Sequence, residues 1–110
     1  MIKHEEYVQS VRKRIVGIAR QMLDGSLPYL EGAIRLDTLL AEAGLSDNDP
    51  DLTAFKLVAS EVDHLPIGAV REHWSEEALK KIGSDIERAT TWARETTIEE
   101  CRSLIARFSR

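Results

Sequence analysis

Cysteine, aromatic residues and long apolar runs are all scarce in this 110-residue chain, and each scarcity removes a class of protein. The single cysteine, Cys101, cannot build an intrachain disulfide framework or a multi-cysteine zinc site, and it points to a reduced, cytoplasmic setting. No stretch approaches the roughly 18 consecutive apolar residues of a membrane span, and Lys3-His4-Glu5-Glu6 places charge where a secretory signal needs an apolar core. No membrane partner is expected. With aromatics at 5%, the core must be filled by Leu, Ile, Val and Ala, which pack readily between helices. The length and the 43% hydrophobic content suit one core and not two, so an all-α, single-domain bundle over residues 1–110 is expected.

An excess of positive charge is missing too. The net charge is -4, and residues 25–65 carry two basic against eight acidic groups, an acidic block that repels phosphate and steers a basic partner. Arg12-Lys13-Arg14 and Arg20 make the first helix locally basic, but with no DNA-binding motif or interleaved aromatic platform they read as its wet side. Nucleic acid is therefore not an expected partner.

What is present is helical periodicity. Val8, Val11, Ile15, Ile18 and Met22 form one apolar stripe, predicting a helix over about 5–23 that Asp24-Gly25 closes. Ser26 is expected to cap a second helix, with Pro28 in its first turn and Leu30, Ala33, Ile34, Leu36, Leu40 and Ala43 inward until Gly44. Gly32 within it marks a close helix crossing. The acids at 47, 49 and 51 resemble a calcium loop, but Leu52 stands where the turn needs Gly and Val58 where a bidentate Glu is needed. Asp49 as cap and Pro50 as first residue of a third helix account for the same letters. That helix turns Leu52, Phe55, Val58, Ala59 and Val62 inward and is expected to end near Leu65, ahead of Pro66. Ser75 caps a short fourth helix, supported by the pairs Glu76 with Lys80 and Glu77 with Lys81. Gly83 ends it, and Ser84-Asp85-Ile86-Glu87 reads as the capping box of a fifth, whose inward repeat runs from Ile86 through Ala89, Ala93, Thr97, Cys101 and Leu104 to Phe108. About five helices are thus expected.

The segment from Ser60 to Trp74 concentrates charge, histidine and aromatic surface around Pro66 and Gly68. Glu61, Asp63, His64 and His73 are residue types that suit acid/base chemistry or a hard metal, which defines an alternative reading as a small enzyme or metal-dependent protein. No H-x-x-x-H or H-E-x-x-H pair supports it, however, and His64 suits the negative end of the third helix. Catalytic residues, metal ligands and cofactors are accordingly assigned to none. Cys101 falls on the apolar repeat and reads as a buried, inert thiol. Trp74 and Trp92 either pack over the core or anchor a partner.

Glu61 to Gly68, with Arg71, Trp74, Ala78-Leu79, Ile86-Glu87, Ala89, Trp92, Cys101, Leu104 and Arg107-Phe108, resembles a group of small uncharacterised bacterial helical proteins. The resemblance covers less than half of the chain, implies a bacterial cytosolic helical protein, and brings no activity with it. In general character alone, small acidic helical proteins of this size are similar to toxin-immunity proteins. The expected function is a non-catalytic protein-binding module, immunity-like or regulatory, that meets a protein partner through Glu61, Asp63, His64, Arg71, His73 and Trp74. A homodimer through apolar faces of the first or last helix stays open.

Overall fold

A computed structural model describes residues 4–67 and 72–109, and among them the chain forms four helices and no strand. They are α1 (His4–Asp24), α2 (Tyr29–Glu42), α3 (Pro50–Glu61) and α4 (Glu76–Phe108). Short turns make α1, α2 and α3 a run of neighbours, and α4 packs along α1 and α3 and touches α2. Arg71 and Gly68 of the expected corner lie outside the described residues.

The helix ends follow local chemistry. Gly25 and Gly44 close α1 and α2 with φ of 85° and 84°, the left-handed region that glycine enters without a Cβ clash. Ser26 does not cap α2. Its N–H instead donates to Asp24 Oδ1 at 2.8 Å, which closes the turn and leaves Pro28 at the cap with no side-chain bond; the Ser26 hydroxyl first, and this N–H second, hold the Asp24 carboxyl below its usual range. Asp49 caps α3 as expected, accepting from the Asp51 N–H at 3.0 Å, with Pro50 as the first helical residue. Ser75 caps α4, accepting from the Ala78 N–H at 3.1 Å.

The largest correction concerns the expected break at Gly83. Helix α4 runs through it for 33 residues, about 50 Å at 1.5 Å per residue, close to the 47 Å long axis of the molecule. Extending a formed helix across one glycine costs about 1 kcal/mol, whereas starting a new one fixes several residues for its first hydrogen bond. Continuity wins, and Ser84 stays an exposed helical residue rather than a cap. Among the described residues the count is therefore four helices, close to the expected five or so. Of the two expected ion pairs, only Glu77 with Lys81 forms among the described residues, at 3.8 Å.

Val11, Ile15, Ala19 and Met22 from α1 meet Leu30, Ala33, Leu36 and Leu40 from α2, Leu52, Phe55 and Val58 from α3, and Ala93, Cys101 and Leu104 from α4. Gly32 marks the close crossing that the sequence suggested: a Cβ there would stand 2.6 Å from Met22 Sδ and 3.2 Å from Leu27 Cδ2.

Two polar clusters fix α4 in place. Arg107 donates to Asp49 Oδ2 from Nη2 at 2.9 Å and to Asp51 Oδ2 from Nη1 at 2.7 Å, and the Ser103 hydroxyl joins Asp51 at 2.9 Å. Deeper in, the Thr97 hydroxyl donates to the Ala93 carbonyl at 2.7 Å, so its oxygen accepts from the Tyr29 hydroxyl, also at 2.7 Å. Cys101 Sγ lies 3.5 Å from the same hydroxyl.

Candidate functional site

Helix α3 stops at Glu61, earlier than the expected end near Leu65, because Val62 leaves the helical region at φ -107° and ψ 8°. Its N–H still bonds the Val58 carbonyl, and the Leu65 N–H bonds the Val62 carbonyl at 3.0 Å. The corner is pinned from inside by Val62 and Pro66, both buried, so Glu61, Asp63 and His64 are left on the outside.

Opposite this corner runs the first half of α4. Asp85, Arg88 and Trp92 lie three and four residues apart on one helical face, and Arg88 is ion-paired to Asp85. Between corner and helix is a cleft of about 250 Å³ whose lining includes Glu61, His64, Leu65, Asp85, Arg88 and Trp92. A second, shallower depression shares Arg88 and Trp92 and adds Glu87 and Glu95. Trp92 therefore stands on a ridge between two depressions, and it is 37% exposed.

The expected residues divide on this geometry. Glu61 and His64 reach the cleft; Asp63, His73 and Trp74 are exposed but do not line it. Trp74 is 39% exposed, so neither tryptophan is absorbed by the core. Among the described residues no group of three or more His, Cys, Asp or Glu side chains is placed to hold a metal ion. The two histidines therefore do not gather with the acids into the ligand set that the metal-dependent alternative needs.

Cys101 is fully buried, and desolvation raises its thiol pKa, with the Tyr29 hydroxyl bond opposing. A thiol held neutral beside Tyr29 and Thr97 is a packing group rather than a nucleophile. Tyr29 is pushed well above its usual value by burial, with the neighbouring thiol adding to the shift.

Asp85 and Arg88 were not among the expected site residues, although the spacing Asp-x-x-Arg-x-x-x-Trp is readable in the sequence. The capping-box reading gave Asp85 a purely local role at a helix start, whereas the structure pairs it with Arg88 on the face opposite the corner.

No helix among the described residues is long and apolar enough to cross a membrane. No curated protein and no solved structure matches the chain. A family profile does match, over residues 1–104 and so well beyond the C-terminal segment that carried the resemblance: the chain belongs to the family described as "Protein of unknown function (DUF2489)".

Proposed function

We propose that this protein is a non-catalytic binding module that receives a basic segment of a protein partner on the Trp92 ridge. The observation that carries the reading is the exposure of Trp92 between two depressions that share Arg88. A large rigid aromatic concentrates binding energy once a partner desolvates it, and tryptophan and arginine are the residue types most enriched at such anchors. Glu61, Glu87 and Glu95 around it carry no cation within ion-pair distance among the described residues, while Asp85 is already engaged by Arg88. That surplus favours lysine or arginine on the partner, which would also stack on the indole face. An immunity-like or regulatory role in a bacterial cytoplasm fits a small acidic module of this kind.

The test is capture with the chain as bait from its native cells, followed by calorimetry with the purified partner. Trp92→Ala should weaken binding at least about tenfold, and Glu61→Lys with Glu95→Lys should slow association and flatten its salt dependence. Retention of the partner by both variants would overturn the reading.

A further inference from the structure

Gly17 sits in the middle of α1, where glycine weakens a helix relative to alanine, yet a Cβ there would meet no atom within 4 Å. It differs in this from Gly32, whose missing side chain makes room for Met22. The space over Gly17 instead deepens a groove of about 610 Å³ between α1 and α2, within the range of roughly 300–1,000 Å³ typical of small-molecule sites. Half-buried Ile18 and Ile34 and buried Leu39 give the groove an apolar lining.

The charges on its rim are unequal in their commitments. Arg35 donates to Glu31 Oε1 at 2.8 Å, and Glu42 accepts the Tyr7 hydroxyl at 3.1 Å. Arg14, also on the rim, forms no ion pair or hydrogen bond among the described residues. An apolar trough beside one uncommitted guanidinium suits a ligand with an apolar body and one anionic head.

We propose that the α1–α2 groove binds a single-chain amphiphile bearing one carboxylate, with the chain over Gly17, Ile18 and Ile34 and the carboxylate paired with Arg14. A carboxylate meets the planar fork of arginine through two parallel hydrogen bonds, which a neutral alcohol cannot do and a quaternary ammonium opposes. The site uses none of the residues of the Trp92 ridge, so the two readings stand or fall separately.

Titration of the full chain with decanoate below its micelle-forming concentration, followed by amide proton–nitrogen NMR, tests this directly, with decanol and decyltrimethylammonium in parallel. Saturable shifts confined to amides around Gly17, Ile18, Ile34 and Thr38 are expected for decanoate, with binding at least about tenfold tighter than for the other two. Gly17→Leu, which enters open space and keeps the fold, fills the trough and should abolish the shifts; its melting temperature confirms folding. Arg14→Gln should weaken decanoate about fivefold or more and leave decanol unchanged. Equal binding of all three amphiphiles, shifts away from the groove, or undiminished binding to Gly17→Leu would overturn the proposal.

Discussion

Arg107 reaches back 56 positions to place Nη1 2.7 Å from Asp51 Oδ2, joining the last turn of α4 to the first turn of α3. Asp51 is only 6% exposed, so this guanidinium and the Ser103 hydroxyl stand in for the water its carboxylate has lost.

Replacing Arg107 by alanine should therefore destabilise the protein by about 2 kcal/mol, a figure held down by the partial exposure of the arginine itself. Lysine should restore less than half, because a single ammonium cannot serve Asp49 and Asp51 together as the fork does. Urea denaturation of the three proteins measures both effects, and equal stability of the alanine variant and the wild type would show the clamp to be idle.

The same clamp sets an acid limit. Hydrogen bonds from Arg107 hold the Asp49 carboxyl below its usual range, so at acidic pH the unfolded chain takes up this proton before the folded one does. The stabilisation is complete above the unfolded value near about 4 and is lost as pH falls below it toward the folded value. Wild type should lose stability through that window more steeply than Arg107→Ala, which denaturation midpoints between neutral and strongly acidic pH will show.

At the alkaline end the group is Tyr29. Burial raises its folded pKa, so above the ordinary phenol value near about 10 the unfolded chain ionises first and the folded state loses stability as pH climbs. Tyr29→Phe should cost about 1 kcal/mol at neutral pH, through the lost bond to Thr97, and should blunt the alkaline decline. Cys101 adds a kinetic readout. Its alkylation by iodoacetamide should be slow in the native protein and should accelerate with denaturant in step with global unfolding.

Much of the fold was legible because it rests on local rules. The 3–4 spacing of Val11, Ile15 and Met22 gave α1, Gly25 and Gly44 gave two stops, and Asp49-Pro50 and Ser75 gave two starts. The misreadings at Ser26 and Ser84 came from competitions that sequence leaves undecided. Ser26 was free to cap a helix or to let Asp24 close the turn, and Ser84 was free to cap or to continue. The Arg107 clamp and the cleft around Trp92 were illegible for another reason: each joins residues from different helices, and only the crossing of α3 with α4 brings Glu61 to Trp92 or Asp51 to Arg107. Glu61 and His64 were legible as candidates through residue type, while Asp63, His73 and Trp74 shared that type without sharing the cleft.

Glycine substitutions separate the three helical glycines by sign. At Gly32 a methyl group runs into Met22 and Leu27, so overpacking of about 2 kcal/mol should exceed the helix-propensity gain of about 1 kcal/mol and leave Gly32→Ala less stable. At Gly83 and Gly17 a Cβ would meet nothing within 4 Å, and neither residue has positive φ, so Gly83→Ala and Gly17→Ala should each gain about 0.5–1 kcal/mol. Gly83 is the more telling of the two, because it also tests the continuity of α4. A left-handed helix stop at this position would make alanine costly, whereas an unbroken 33-residue helix makes it favourable and raises helical circular dichroism. A loss of stability in Gly83→Ala would therefore restore the two-helix reading of this segment, with Ser84 as a cap.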